Sequence, residues 1–454
     1  MFASMQPAIK RPSPVDLLEY SDIPGTPKYG LPQDVKFCSS CVISNQRPSS
    51  TVEFQNTPST KKNTISIDRD GVCDACNIAK IKANTDWDQR EHELLTLLDK
   101  HRSKDGSYDC LVPGSGGKDS FYQAHILKYK YGMNPLTCTW APNLYTDWGY
   151  RNHQRWINSG FDNILFTPNG RTHRLLTRLA VDNLFHPFQP FILGQKNLAP
   201  KIAANYNISL VFYGENEAEY GNPRADFDSA KRSEKYFTQS CLDSIRLSGF
   251  SLDELKHFGL SYGDLHSYLP IDSDTASNAN IEVHYLGYYL KWHPQGVFYY
   301  SVENCGFETA PTRNCGTYSK YNSLDDKIDD LHYHSTYIKF GIGRATYDAS
   351  QEIRSGELDR DEAIALVNRY DGEFPDRWSS EIFEYLSMDK DTFPTASTQF
   401  ESPTFDKEYY NLLCDKYRSP HLWSFDQQTS QWQLRHKLNR ITSPSGDSWQ
   451  GNSY

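Results

Sequence analysis

Six consecutive residues, Ser115-Gly116-Gly117-Lys118-Asp119-Ser120, have the composition of an anion cradle. Glycines let backbone N–H groups approach a phosphate with no Cβ in the way. Ser115 and Ser120 add hydroxyl donors, and Lys118 adds a point charge. Asp119 is the odd member, because a carboxylate beside phosphate repels it unless a cation lies between, and magnesium meets that need. Tyr108-Asp109-Cys110-Leu111-Val112 reads as the start of a buried strand, and Phe121 to Lys130 has helical periodicity. The glycines therefore fall in a strand-to-helix turn, where a helix N-terminus offers free N–H groups to an anion. The stretch is not a Walker A loop, which needs Ser or Thr directly after the Lys. Nor is it a dinucleotide GxGxxG turn with an acidic residue at the right distance.

A second chemistry is written in Cys38-Ser39-Ser40-Cys41 and Cys73-Asp74-Ala75-Cys76. Each CxxC bends into a knuckle that aims two thiolates at one ion, and two knuckles supply the four soft ligands tetrahedral zinc prefers. An iron site would use the same ligands. Four thiolates leave no open coordination position, which points to a structural role. Residues 43–70 between the knuckles read as a looped-out ribbon.

Further candidates stand at strand ends and turns. Ile208 to Tyr213 is a strand running into Gly214-Glu215-Asn216-Glu217-Ala218-Glu219-Tyr220-Gly221. Parallel sheets place ligand contacts past such ends, so Glu215 is expected to reach magnesium or orient a nucleophile, and Asn216 to hydrogen-bond substrate. Asn143 follows the strand Pro135 to Trp140 in the same way. Gln189 and Gln195 lie in a Phe- and Pro-rich stretch that suits either a pocket wall or an elbow between helices. Lys339 and Arg344 are cations beside Gly341 and Gly343, a set suited to phosphate or to a sugar-acid carboxylate.

The elements that must position these groups alternate strand and helix from residue 108 to about 213, the pattern of a βαβ-built parallel sheet. The fold class expected is α/β: an open, mostly parallel sheet with helices on both faces, preceded by the four-cysteine module and followed by a helical C-terminal module. Boundaries are placed at 1–36 for an extended arm, 37–83 for the metal module, 84–320 for the α/β domain, 321–430 for the C-terminal module and 431–454 for a flexible tail. Val283 to Leu290 is read as a final sheet strand. The chain has 454 residues and a formal net charge of −10, with no long basic run, which disfavours nucleic acid as a ligand. Mean hydropathy is −0.68, no apolar run approaches the ~20 residues of a membrane span, and no apolar stretch follows Lys10 and Arg11 as in a signal peptide. Cysteines grouped in metal-type pairs suit a reducing cytoplasm.

Ser115 to Ser120 resembles the PP-loop of the ATP pyrophosphatase superfamily, whose pattern is Ser-Gly-Gly-x-Asp-Ser. Taken with the two knuckles, Pro187-Phe188-Gln189-Pro190-Phe191, Gly214-Glu215-Asn216, Glu219-Tyr220-Gly221, Ile338-Lys339-Phe340-Gly341 and Gly343-Arg344-Ala345-Thr346, the chain resembles the N-acetyl sugar amidotransferase family, which includes WbpG-like and PseA-like proteins of lipopolysaccharide and nonulosonic-acid synthesis. The resemblance implies a PP-loop/HUP-like fold and the cofactors ATP, Mg²⁺ and Zn²⁺. It also implies conversion of a sugar acetamido group to an acetamidino group, by adenylation of the amide oxygen and attack of ammonia. Ser115, Gly116, Gly117, Lys118, Asp119 and Ser120 would then hold ATP, with Lys118, Asp119 and Glu215 catalytic and Asp119 on magnesium. Asn143, Gln189, Gln195, Asn216, Lys339 and Arg344 would face the sugar. Ammonia would come from a HisH-like glutaminase partner, since the chain has no Gly-x-Cys-x-Gly elbow of its own; an oligomer is left open. Two rivals share the loop: a tRNA thiolation enzyme and a pathway scaffold without catalysis.

Overall fold

The structure is a computed structural model that describes residues 9–50, 52–215, 217–222, 229–239, 241–388 and 403–438. Its centre is a five-stranded sheet, all parallel, built from β1 (Cys110–Pro113), β2 (Pro135–Trp140), β3 (Asp162–Phe166), β4 (Leu210–Tyr213) and an edge strand Glu282–Tyr285, in the order β3-β2-β1-β4-edge. The central strands are apolar along their length because both faces are covered. Helix α1 (Asp74–Ala83) precedes the sheet; Cys110 and Val112 of β1 pack with Leu94 and Leu98 of α2 (Trp87–His101) and Phe121 of α3 (Lys118–Tyr129). Helix α4 (Asp147–Asn158) joins β2 to β3, and Leu111, pointing the other way, joins Leu176 and Ile202 from α5 (Gly170–Leu184) and α6 (Gln189–Asn205). Pro190 sits in the first turn of α6, where its missing N–H costs nothing.

The order of connection matters for function. The chain leaves β1 toward β2 and β3 on one side, then returns to lay β4 on the other flank of β1. The turns after β1 and β4 therefore diverge over a crevice at the C-terminal edge of the sheet, where open α/β sheets bind ligands.

Several segments depart from the sequence-based expectation. Residues 43–70 do not loop out: Phe54 is buried in the main core, and the segment pairs with its flanks at Phe37–Ser44 and Ile67–Cys73 and with itself at Pro48–Thr64. The last sheet strand stops at Tyr285, and Leu286–Tyr289 is a helical turn. The C-terminal region is helical, with helices Ile328–Phe340, Arg344–Ser355, Arg360–Tyr370, Ser379–Leu386 and Lys407–Tyr417. It closes on an antiparallel hairpin, Trp423–Asp426 with Gln431–Leu434, so the stretch from 431 to 434, expected in a flexible tail, is a paired strand. The N-terminal arm docks on this closing region. Tyr20 is fully buried, its hydroxyl donates to the Arg418 carbonyl at 3.0 Å, and Tyr29 donates to the Tyr417 carbonyl at 2.6 Å. Among the described residues, no helix is long and apolar enough to cross a membrane.

Candidate functional site

The loop after β1 has the form its glycines predict. Gly116 has φ +90°, a conformation L side chains rarely adopt, and a Cβ there would lie 2.7 Å from the backbone of His153. Gly117 precedes α3 and carries no side chain to cap the helix's first turn, so those N–H groups have no partner in their own N-cap residue. Ser120 donates to the Gly117 carbonyl at 2.8 Å. The Lys118 side chain is buried, its Nζ held 2.8 and 3.0 Å from the Asp119 carboxylate oxygens, while Asp119 is 44% exposed.

Lys118 and Asp119 open into a cavity of about 340 Å³ that also receives Glu215 from the turn after β4. Burial, and after it the Asp119 charge, push the Glu215 carboxyl up to about 8. Gln351 donates to Glu215 Oε1 at 2.9 Å. The far wall is the helix Arg344–Ser355, which presents Arg344, Tyr347, Asp348, Gln351 and Arg354. These positions recur at three and four residues, so they share one face of the helix. Ala345 and Ala349, both fully buried, lie off that face and pack against Val42 and Ala363. The spacing of Arg344, Tyr347, Asp348 and Gln351 is the sequence signal that finds this polar stripe. Four cations, Arg47, Lys118, Arg344 and Arg354, face three carboxylates, Asp119, Glu215 and Asp348. Arg344 Nε lies 3.0 Å from Asp348.

A second cavity, about 370 Å³, adjoins the first and shares Arg47, Tyr333 and Tyr347 with it. Lys339 lines this second cavity and Arg344 the first, so the two cations expected to act together are separated. Other expected substrate contacts are spent on the fold. Gln189 is fully buried, donates to the Glu53 and Arg246 carbonyls at 3.1 and 3.3 Å and accepts from Ser248 N–H at 2.8 Å. Asn143 donates its backbone and side-chain N–H groups to Asp326 at 2.6 and 2.9 Å. Gln195 is half-buried on α6 and lines neither cavity. Asn216 lies outside the described residues.

Cys38, Cys41, Cys73 and Cys76 form one buried cluster, all four sulfurs within 4.8 Å of one another. The Cys38–Cys76 and Cys41–Cys73 sulfur separations are 4.0 and 3.7 Å. Tetrahedral zinc with Zn–S bonds of about 2.3 Å sets sulfur separations of about 3.8 Å, so the donor set fits a four-thiolate metal ion. Arg360 donates to the Cys41 and Cys38 carbonyls at 3.2 and 3.3 Å. The cluster does not stand apart from the first cavity. Ile65 and Ala75 pack with the cysteines and also line that cavity, and Arg47 enters it from the segment between the knuckles.

Residues 315–439 match the family described as LPS biosynthesis protein WbpG-like, C-terminal domain. A 90-residue stretch is 31% identical to the uncharacterized protein MJ1599 of Methanocaldococcus jannaschii, covering 20% of this chain and 31% of that protein; the chain thus spans under a third of that relative's length. The solved structure of a predicted subunit of tRNA methyltransferase from the same organism aligns with a TM-score of 0.22 and 17% identity, over 43% of this chain and 75% of that one.

Proposed function

We propose that this chain is an ATP-dependent enzyme of PP-loop type that turns an acetamido group on a sugar into an acetamidino group. One observation carries the reading. The cavity holding Lys118, Asp119 and Glu215 is completed by Arg344, Tyr347, Asp348 and Gln351, which belong to the stretch that matches the WbpG-like domain. A phosphate-type loop and a polysaccharide-pathway segment thus wall the same space.

In the reaction, the amide oxygen attacks the α-phosphorus of ATP and pyrophosphate leaves. Ammonia adds to the resulting imidate carbon and AMP departs with the oxygen, leaving the amidine. The uncapped N–H groups of α3 hold the departing phosphates, and Lys118 offsets the charge that builds on them. Asp119, with Glu215, is suited to hold Mg²⁺, which supplies charge neutralisation between carboxylates and triphosphate. Zinc is the metal proposed for the cysteines, the chain works in the reducing cytoplasm, and ammonia reaches it from a glutaminase partner.

The test is turnover of the purified chain with ATP, Mg²⁺, an acetamido sugar and heavy-nitrogen ammonium. AMP and pyrophosphate should form in equal amounts and the label should enter the sugar; glutamine should not replace ammonium. Asp119→Asn should lower pyrophosphate release by roughly a hundredfold or more with the fold intact. A folded Asp119→Asn enzyme with the wild-type rate would refute the assignment. Cys38→Ser should lose the metal and most soluble yield, because structural metal binding contributes folding free energy directly. Elemental analysis finding no metal in the native protein would remove that role.

A further inference from the structure

The two adjoining cavities differ in charge balance. In the first, four cations face three carboxylates, with Lys118 paired to Asp119 and Arg344 to Asp348. In the second, Arg47, Lys62 and Lys339 face inward and Glu53 is the one carboxylate among the lining residues. Lys62 donates to Asn56 at 3.2 Å. Lys339 is 9% exposed, donates to the Leu184 carbonyl at 2.8 Å and lies 4.9 Å from the Tyr29 ring centre, and Glu53 is the carboxylate whose charge acts on it. Arg47 is 6% exposed; its Nη1 reaches Asn222 at 3.5 Å, and its Nε has no hydrogen-bond partner among the described residues. The Ser49 hydroxyl on the same wall is likewise buried without a partner. His186 and His332 stack at the cavity wall, ring centres 5.1 Å apart, with Lys339 charge acting on both. Burial, then the Lys62 charge, lowers Lys339 to about 7. Like charges held this close out of water are costly unless an anion joins them.

We infer that the second cavity receives the anionic part of the acceptor substrate, a carboxylate or a phosphate group, held by Lys339 and Arg47, while its acetamido end lies in the first cavity. The identity of the ligand as the acceptor rests on the proposed reaction; the demand for an anion rests on the cavity's own charge. Arg47, at the boundary the cavities share, is the charged residue that touches both halves. A neutral acetamido sugar lacks the group this arrangement is built to hold.

Calorimetric titration of the full chain with N-acetylneuraminate, UDP-N-acetylglucosamine and neutral N-acetylglucosamine tests this without turnover. At least one charged probe should bind tenfold or more tighter than the neutral sugar, and whichever wins names the carboxylate or the phosphate as the group held. Lys339→Met should cut that preference at least tenfold and leave ATP affinity unchanged. The same variant should unfold at a higher temperature, since it removes a buried amine whose desolvation costs free energy, and Lys339→Arg should keep the preference. If Lys339→Met does not fold, Arg47→Met carries the same expectation for affinity. Equal binding of charged and neutral probes, or a preference untouched in the folded variants, overturns the inference. A Lys339-dependent preference without pyrophosphate release under any acceptor would leave the site standing and the reaction fallen. Pyrophosphate release equally efficient with the neutral sugar would do the reverse.

Discussion

Two helices that wall the first cavity begin on glycines with no side chain to cap them, and the chain treats them differently. At Gly343 the Asp371 carboxylate, 28 residues on, accepts the N–H groups of Gly343 and Thr346, both at 3.1 Å, and the Thr346 hydroxyl. At Gly117, among the described residues, no side chain accepts from the first N–H groups of α3, and nothing lies within 4 Å of where a Cβ would stand. One helix end is completed by the polypeptide. At the other no such carboxylate arrives among the described residues. A glycine before a helix thus hands the capping of its donors to whatever acceptor the fold brings from a distance.

The comparison breaks most visibly at its closed member. Asp371→Ala strips the acceptor from two N–H groups and the buried Thr346 hydroxyl, and should cost about 3 kcal/mol, read as a lower urea midpoint with an unchanged slope; an unmoved midpoint would show that water caps the helix equally well. Gly343→Ala is the next step down. Its Cβ would lie 2.7 Å from Asp371 Oδ1 and 2.8 Å from Cγ, so the cap must shift, at about 1–2 kcal/mol. The matched Gly117→Ala should leave stability within about 0.5 kcal/mol, because its φ of −71° suits alanine. It should instead weaken ATP binding about tenfold, or ~1.4 kcal/mol, by filling the space a phosphate needs. The pair is measured by denaturant unfolding and ATP titration side by side, and loss of stability at Gly117 with ATP affinity intact would invert the contrast.

Legibility followed distance along the chain. Ser115 to Ser120 and the two CxxC pairs could be read because each local group is contiguous, and Glu215 because it ends a clear apolar strand. Arg47 could not. It lies in a stretch whose spacing suggests a looped-out ribbon, and it reaches both cavities because Phe54 is buried under α6 and folds that stretch inward. Gln189 misled for a related reason: an amide among phenylalanines reads as a pocket group, yet three backbone partners satisfy it within the fold. Lys339 and Arg344 are five residues apart in sequence, but the turn at Gly341 to Gly343 separates the end of one helix from the start of the next and sends them to different cavities. The sheet's strand order, which brings the β1 and β4 turns together, depends on long-range pairing that no local pattern encodes.

The docking of the N-terminal arm sets a schedule for the chain's making. Tyr20 emerges early from the ribosome, but the Arg418 carbonyl it binds lies 398 residues later, and closing so large a loop carries an entropic cost that only late contacts offset. Arg344 to Arg354, the far wall of the first cavity, also come after three quarters of the chain. A growing polypeptide can lay down the α/β sheet and its glycine-rich turn well before either clasp exists, since such units form as they are synthesised. The glycine-rich turn is thus made first and enclosed last, so that an incomplete chain holds the turn without the walls that complete its cavity.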